Sequence, residues 1–133
     1  MPVFVWLGMI MQFNLDSNFG KYQINSYQPG VITINKIEYK TSVIITPDQL
    51  ITNWPPQQLS ELSAQHLKKL IELNPQIVIL GTGEKHSFIS QQMMLPFLQQ
   101  GIGFEVMNTE AACRTYNVLL AEGRNIVAAL LVK

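Results

Sequence analysis

The second half of the chain alternates short apolar runs with amphipathic stretches, and this order restricts the fold more than any other feature. Residues 77–80 form a continuous apolar run, as expected for a central strand that is covered on both faces. The resulting β-α-β-α-β order favours right-handed crossovers and a partly parallel sheet. The pattern predicts strands at residues 77–80, 104–107 and 125–132, and helices that begin near residues 63, 91 and 109.

The ends of these helices carry recognisable signals. Ser63 is predicted to be an N-cap, with Leu62 and Leu67 at the positions of a hydrophobic staple. Thr109 is predicted to cap the helix that runs to residue 122, which a glycine closes. Pro96 is disruptive inside a helix, so we expect the helix near residues 91–100 to be regular only from about that proline.

The first half of the chain looks like short strands. Residues 22–27 alternate polar and apolar side chains, and residues 31–39 resemble a hairpin around the polar pair Asn35 and Lys36. Two further strands are predicted at residues 42–46 and 50–54. We therefore expect an α/β fold, a three-layer single domain over residues 1–133 with a mixed central sheet, N-terminal β-ribbons and a C-terminal β-α-β-α-β unit.

The composition limits the kinds of partner. A length of 133 residues suits one domain, and 47% hydrophobic residues supply a full core. Nine basic residues balance nine acidic ones, whereas nucleic-acid binders usually show a basic excess, so nucleic acid is not expected as a partner. Only 14% of the residues are charged, which is consistent with a buried sheet or with an interface in a homo-oligomer.

The first 11 residues are almost wholly apolar. They are too short for a membrane span, which needs about 20 residues, and they lack the features of a signal peptide. Three interpretations stay open: a packed first strand, an extension for self-association, or an upstream start codon with the usual chain beginning at Met11. No transit peptide is evident, so we expect a cytoplasmic, bacterial protein.

Residues that could carry chemistry are few. Cys113 is the only cysteine, which excludes an internal disulfide and a cysteine-based zinc site, and we expect it to be a small buried hydrophobe. His66 is expected at the rim of a helix, and His86 is expected in a surface loop. Glu84 and Glu105 could form a carboxylate pair, but nothing in their spacing requires it. We therefore predict no metal site and no cofactor, and we assign no catalytic residue.

A glycine loop follows the strand at residues 77–80. Gly81 and Gly83 fit the first two glycines of a dinucleotide-binding fingerprint, but His86 holds the position of the third. One alternative is a tight turn. The other is a small-anion pocket, because open α/β sheets place ligands at the carboxyl ends of strands. Thr109 follows the next strand, so Gly81, Thr82, Gly83, Glu84 and Thr109 are the candidate ligand-binding residues.

Several segments together resemble a known family. They are residues 79–83 (ILGTG), Leu95-Pro96, residues 101–103, residues 105–111 (EVMNTEA), residues 116–119 (YNVL) and residues 122–124 (EGR). Their order and spacing resemble the uncharacterised family of small α/β proteins that includes mitochondrial complex I assembly factor 3 and an adipogenesis-associated cytoplasmic protein. The resemblance spans about residues 13–131.

The resemblance implies a three-layer fold with a mixed sheet and no established enzyme activity. It also implies that the mitochondrial member acts by binding protein partners. Two hypotheses follow for this chain. The first, which we favour, is a non-enzymatic protein-interaction or assembly factor. The second is a small-molecule or anion-binding protein, with or without enzyme activity, whose pocket lies at the sheet edge formed by residues 81–84 and Thr109.

Overall fold

The computed structural model describes residues 21–133. The predictions on residues 1–11, including the start at Met11, lie outside this range. The strands are β1 (Ile24–Gln28), β2 (Val31–Ile34), β3 (Ile37–Tyr39), β4 (Val43–Ile45), β5 (Leu50–Ile51), β6 (Ile77–Gly81), β7 (Gly103–Met107) and β8 (Ile126–Leu130). The helices are α1 (Ala64–Ile71), α2 (Gln91–Gln99) and α3 (Thr109–Ala121), and a short 3₁₀ helix spans Leu59–Glu61.

The central sheet is mixed, as predicted. Its five strands lie in the order β5-β4-β8-β6-β7. β6 pairs in parallel with β7 on one side and with β8 on the other, while β4 is antiparallel to β8 and β5. The parallel register puts Ile79 level with Glu105 and with Ala128, so β6, β7 and β8 end together at one edge of the sheet.

The N-terminal strands form a separate antiparallel sheet in the order β1-β2-β3. Asn35 and Lys36 connect β2 to β3 with φ angles of 49° and 70°, which is the conformation that a two-residue hairpin turn requires. This confirms the predicted ribbon. The register of β1 against β2 shifts between Ile24 and Ser26, so β1 contains a bulge there.

Two cores lie on opposite faces of the central sheet, because alternate residues of each strand point to opposite sides. On one face, α3 and the three-stranded sheet cover Ile79, Ala128 and their neighbours. On the other face, α1 and α2 cover Val78 and Leu80. The fold is therefore an α/β structure with layers on both sides of a mixed sheet.

Helix α2 starts earlier than the sequence suggested. It is helical from Gln91, so the expectation of a regular helix only from about Pro96 was wrong. A proline lacks the N–H that would bond to the carbonyl four residues earlier, which here belongs to Gln92. Gln92 and Pro96 are both exposed, so water can bond to that carbonyl. Phe97 is fully buried and fixes the helix to the sheet.

Helix α1 begins at the predicted cap. The Ser63 hydroxyl accepts a hydrogen bond from the backbone N–H of His66, and the His66 imidazole accepts one from the backbone N–H of Ser63 at 3.1 Å. The sequence predicted His66 at the rim of the helix. It did not predict this capping box, because the usual residue at the third helical position is Glu or Gln. The imidazole therefore has a structural role in starting α1.

Candidate functional site

The structure brings the five candidate residues together at one edge of the central sheet. Gly81 is the last residue of β6, and its partners across the sheet are Met107 and Leu130. Thr109 begins α3 two residues after the end of β7. The convergence expected from parallel strands is therefore present, and the contacts at this edge show what its polar groups bind.

The Thr109 hydroxyl lies at the centre of this edge and is fully buried. It accepts a hydrogen bond from the backbone N–H of Gly83 at 2.8 Å and donates one to the carbonyl of Leu131 at 2.6 Å. The backbone N–H of Thr109 donates to the carbonyl of Gly83 at 2.8 Å. Thr109 thus joins the loop after β6 to the residues that follow β8.

The prediction that Thr109 caps α3 was wrong. The N-cap is Asn108, whose side-chain oxygen accepts a hydrogen bond from the backbone N–H of Ala111 at 2.8 Å. Thr109 is the first residue of the helix proper. Asparagine and threonine are both good N-caps, so the sequence alone did not decide between neighbours.

Thr82 closes the loop on itself. Its hydroxyl donates to the carbonyl of Lys85 at 2.6 Å and accepts from the backbone N–H of Ser87 at 3.3 Å. Its own backbone N–H donates to the carbonyl of Met107 at 2.9 Å. The Thr82 side chain is almost completely buried, so its hydroxyl shapes the turn after β6.

The two glycines of the loop allow close backbone contacts. A Cβ atom at Gly81 would lie 2.8 Å from the Thr109 hydroxyl oxygen, and one at Gly83 would lie 2.5 Å from the carbonyl oxygen of Lys133. Gly83 also has a φ of +98°, which side chains rarely tolerate. Packing at this edge therefore explains both glycines.

Glu84 differs from the other four candidates because its side chain is exposed. Its backbone N–H donates to the carbonyl of Lys133 at 3.1 Å. The loop and Thr109 together hold residues 131–133 in place, and we call residues 81–84 with Thr109 the C-terminal clamp. The N–H and hydroxyl groups that would face an anion bond to the protein in this arrangement, and ligand binding here stays a prediction.

A cavity of about 270 Å³ lies between β1 and α3, near the clamp. Asn117 forms part of its wall, and its side chain pairs with Ile24 as a strand would: its oxygen accepts from the Ile24 N–H at 3.1 Å, and its nitrogen donates to the Ile24 carbonyl at 2.7 Å. The cavity is lined by Ile24, Asn25, Ser26, Tyr27, Glu110, Cys113, Arg114 and Asn117.

Cys113 lines the same cavity and is 6% exposed. Burial is the main reason that the pKa of its thiol rises from 9.0 to about 12, with smaller opposing effects of Arg114, which lowers it, and Glu110, which raises it. The thiol is therefore protonated at neutral pH and a poor nucleophile. The expectation of a small buried hydrophobe agrees with this environment.

A second cavity, of about 350 Å³, lies between α1 and α2. Its walls are mostly apolar, with Lys68 and Glu72 at the rim of α1. It is lined by Ala64, Leu67, Lys68, Ile71, Glu72, Gln92, Met93, Pro96, Phe97 and Gln100. Within residues 21–133, His, Cys, Asp and Glu side chains form no group of three or more that could hold a metal ion.

The sequence matches a family model described as "Protein of unknown function (DUF498/DUF598)" over residues 24–131. This range includes the residues that line both cavities. It ends at residue 131, so of the residues that the clamp holds, 132 and 133 lie outside it. The chain belongs to this family. A 13 kDa major membrane protein of Francisella tularensis is 28% identical over 75% of this chain and 82% of its own length.

The family includes an assembly factor. The rat NADH dehydrogenase [ubiquinone] 1 alpha subcomplex assembly factor 3 is 31% identical over 110 residues, which are 81% of this chain and 59% of the rat protein. This chain therefore spans less than two thirds of that relative. The expected resemblance to the family of complex I assembly factor 3 is confirmed.

A solved structure shows the same fold. The crystal structure of a Bordetella parapertussis protein has a TM-score of 0.80 and 32% identity, and it covers 86% of this chain and 98% of that chain. The Francisella relative bears the name of a membrane protein. In the part of this chain that the structure describes, no helix has the length and apolar character needed to cross a bilayer.

Proposed function

We propose that this protein is a non-enzymatic interaction factor that helps to assemble a multi-subunit complex, and that the complex is an NADH dehydrogenase. The observation that carries the proposal is the relationship to the rat assembly factor, at 31% identity over 81% of this chain. Because a shared fold does not by itself transfer function, the proposal needs support from the surface and from the candidate site.

The surface supports contacts with other proteins. Among the described residues, three of the large apolar side chains that are exposed lie close together in sequence: Phe88, Leu95 and Leu98. No Asp, Glu, Lys or Arg occurs in residues 86–104. Exposed apolar side chains in a segment that lacks charged residues are typical of protein interfaces.

The candidate site supports a non-enzymatic role. Four of the five clamp residues are buried, and the Thr82 and Thr109 hydroxyls bond to backbone groups of the protein. The Cys113 thiol has a raised pKa, which suits a packing residue better than a nucleophile. These groups contribute to the fold, so the chemistry of the described residues favours binding over catalysis.

Deletion of the gene in the source cell tests the proposal. We expect less fully assembled NADH dehydrogenase on native gels, accumulation of subassemblies, and recovery when the wild-type gene is supplied. The control is the total amount of individual subunits, which should not fall before assembly fails. Normal amounts of assembled complex in the deletion strain, together with no reproducible protein partner on affinity purification, would contradict the proposal.

The alternative is a small-molecule or anion-binding protein with its site at the clamp. It is supported by the convergence of two parallel strand ends at the edge that carries the clamp. Thermal-shift measurements with nucleotides, phosphates and carboxylates test it. Stabilisation by one of these compounds would support the alternative, and no stabilisation by any of them would exclude it.

A further inference from the structure

Strand β1 is an edge of the three-stranded sheet, and the hairpin next to it fixes which of its backbone groups point outwards. The two-residue turn at residues 35–36 makes Ile34 and Ile37 a hydrogen-bonded pair between β2 and β3. Alternate residues of a strand bond to opposite neighbours, so Thr33 bonds to β1 instead, where its partner is Ser26.

Tyr27 follows Ser26 in β1, so its backbone N–H and C=O point away from β2. Within residues 21–133, no backbone or side-chain group outside the sheet bonds to them. Ile24 points its backbone groups to the same side, and the Asn117 side chain bonds to both of them. A side-chain amide has the donor and acceptor of a peptide group, so Asn117 already stands where one residue of an added strand would lie.

Helix α3 faces this free edge across the cavity of about 270 Å³, which we call the edge groove. The two walls run in opposite directions. Ile24 meets Asn117 near the end of α3, whereas the Tyr27 hydroxyl bonds to the Val132 carbonyl, next to the residue that Thr109 holds at the start of α3. The helix residues that line the groove lie at positions i, i+3, i+4 and i+7, so they form one face of α3: Glu110, Cys113, Arg114 and Asn117.

The rim of the edge groove carries one charge of each sign. Glu110 and Arg114 are 67% and 70% exposed, with 3.5 Å between the Glu110 Oε2 and Arg114 Nη1 atoms. They are one helical turn apart, about 5.4 Å, which is close to the roughly 6.8 Å between alternate side chains of a strand. A small anion would meet Glu110 and a small cation would meet Arg114, so the rim suits a segment that carries both charges.

We propose that the edge groove binds an extended segment of a partner protein, which adds to β1 as an antiparallel strand and has the pattern basic, small apolar, acidic. The middle residue bonds to the Tyr27 backbone and points its side chain at Cys113, which is 6% exposed. The basic residue faces Glu110 and the acidic residue faces Arg114. This order follows because a strand antiparallel to β1 runs in the same direction as α3. The inference goes beyond the proposed function and does not depend on it.

The size of the groove limits what it can hold. Its volume of about 270 Å³ is at the lower end for ligand pockets, which span about 300–1,000 Å³, so a few extended residues fit better than a large cofactor. The contact offers few backbone hydrogen bonds, and its ion pairs are exposed. An isolated peptide should therefore bind weakly, with a dissociation constant of the order of 0.1–1 mM.

NMR titration of the ¹⁵N-labelled full chain with the blocked peptide acetyl-STKVETS-amide tests the site. We expect the amide signals of Tyr27 and Arg114 to shift, and exchange of the Tyr27 amide with water to slow several-fold, because this N–H gains a partner. Ser26→Trp places an indole in the groove and should abolish the shifts. Gln28→Trp is the matched control, since Gln28 is exposed on the same strand but does not line the groove.

Modified peptides test the backbone pairing without any change to the protein. N-methylation of the peptide valine removes the N–H that bonds to the Tyr27 carbonyl, so the affinity should fall by about tenfold or more. N-methylation of the first serine, at the end of the peptide, should leave the affinity unchanged within about twofold. Equal binding by the two methylated peptides would overturn the added strand.

Exchange of the two rim charges tests the direction of the segment. The wild type should bind the STKVETS peptide about fivefold more tightly than the STEVKTS peptide, which has its charges reversed. In Glu110→Arg combined with Arg114→Glu, which keeps an i, i+4 ion pair on α3, this preference should reverse. Circular dichroism checks that the variants are folded. The same preference in both proteins would contradict the assigned direction.

Three further results would overturn the proposal. They are the absence of any Tyr27 shift with either peptide at millimolar concentration, the same shifts on addition of free lysine and glutamate, and a Tyr27 shift that follows protein concentration alone. The second result would mean a small-molecule site, and the third would mean that a second copy fills the groove. Peptide binding by a protein whose deletion leaves NADH dehydrogenase fully assembled would refute the proposed function and leave this site intact.

Discussion

At the scale of single residues, the Thr109 hydroxyl is the part of the clamp whose role can be measured most directly. Thr109→Val keeps the shape of the side chain but leaves the Gly83 N–H and the Leu131 carbonyl without their partner. Because both groups are buried, we expect a loss of about 2–4 kcal/mol in the free energy of unfolding. Thr109→Ser keeps the hydroxyl and should cost about 1 kcal/mol or less.

Urea denaturation of the two Thr109 variants and the wild type measures this difference. Equal stability of the valine and serine variants would show that the hydrogen bonds at the clamp contribute little. It would also restore the interpretation of the hydroxyl as a group held ready for a ligand.

The buried thiol of Cys113 makes stability depend on alkaline pH. Its pKa is 9.0 ordinarily and about 12 in the folded protein, so between these values the unfolded chain binds fewer protons than the folded one. The contribution is fully present below pH 9 and is lost as the pH rises towards 12. By pH 10 the loss should be roughly 1 kcal/mol.

Cys113→Ala isolates this contribution. Tyr27 and Tyr116 also have raised pKa values because they are buried, but their ordinary value is 10.0, so they act at higher pH. Between pH 8.5 and pH 10, measured by urea denaturation, the stability of the alanine variant should decline less steeply than that of the wild type. Parallel declines in the two proteins would contradict the assigned cause.

At the scale of elements, the sequence predicted those that depend on local pattern. The apolar run of β6 and the polar turn at Asn35 and Lys36 have one physical interpretation each, and both are present. The start of α2 was misjudged, because the cost of Pro96 depends on whether water reaches one carbonyl, and tertiary structure decides that. Neighbouring caps at Asn108 and Thr109 were likewise not separable by local rules.

At the candidate site, even less could be predicted from the sequence. The convergence of Gly81 and Thr109 follows from parallel strand order, which the sequence implied. The partners of their polar groups do not follow, because the Leu131 and Lys133 carbonyls belong to a distant part of the chain. A glycine that makes room for a backbone carbonyl and a glycine that makes room for a phosphate look the same in a sequence.

Asn117 shows how one polar side chain connects two elements. It pairs with both backbone groups of Ile24 at the bulge of β1, so it ties the three-stranded sheet to α3. In Asn117→Asp the donating nitrogen becomes an oxygen that faces the Ile24 carbonyl and repels it. We expect amide hydrogen exchange in residues 24–28 to increase by at least about tenfold, while β6 and β8 stay protected.

Val118→Ala is the control for Asn117→Asp, since it changes the next residue on α3, which is exposed. It should leave exchange in β1 unchanged. Increased exchange throughout the central sheet of the aspartate variant would mean that Asn117 supports the whole fold, and unchanged exchange in β1 would mean that the ribbon is held by its apolar contacts alone.

At the scale of the whole molecule, one sheet separates two cores that share their strands. β4, β6 and β8 contribute alternate residues to both, so Val78 and Ile79, which are neighbours in sequence, lie in different cores. Loss of either core exposes one face of the same strands. This sharing predicts that residues 21–133 unfold as one unit, which agrees with the single domain expected from the length of the chain.

Two reporters on opposite faces can test this unit. Trp54 is 1% exposed in the core beneath α1 and α2, and Cys113 is 6% exposed in the core beneath α3. In a Trp6→Phe variant, Trp54 fluorescence reports one core alone, while the rate of thiol labelling at Cys113 reports the other. Under equilibrium urea denaturation we expect both signals to give the same midpoint and the same dependence on urea, because neither core can persist on a sheet that has lost its other face. The control is far-UV circular dichroism, which follows the helices and sheets together and should coincide with both. Labelling of Cys113 well below the Trp54 midpoint would show that α3 and the N-terminal ribbon detach first, and the chain would then consist of two cooperative units rather than one.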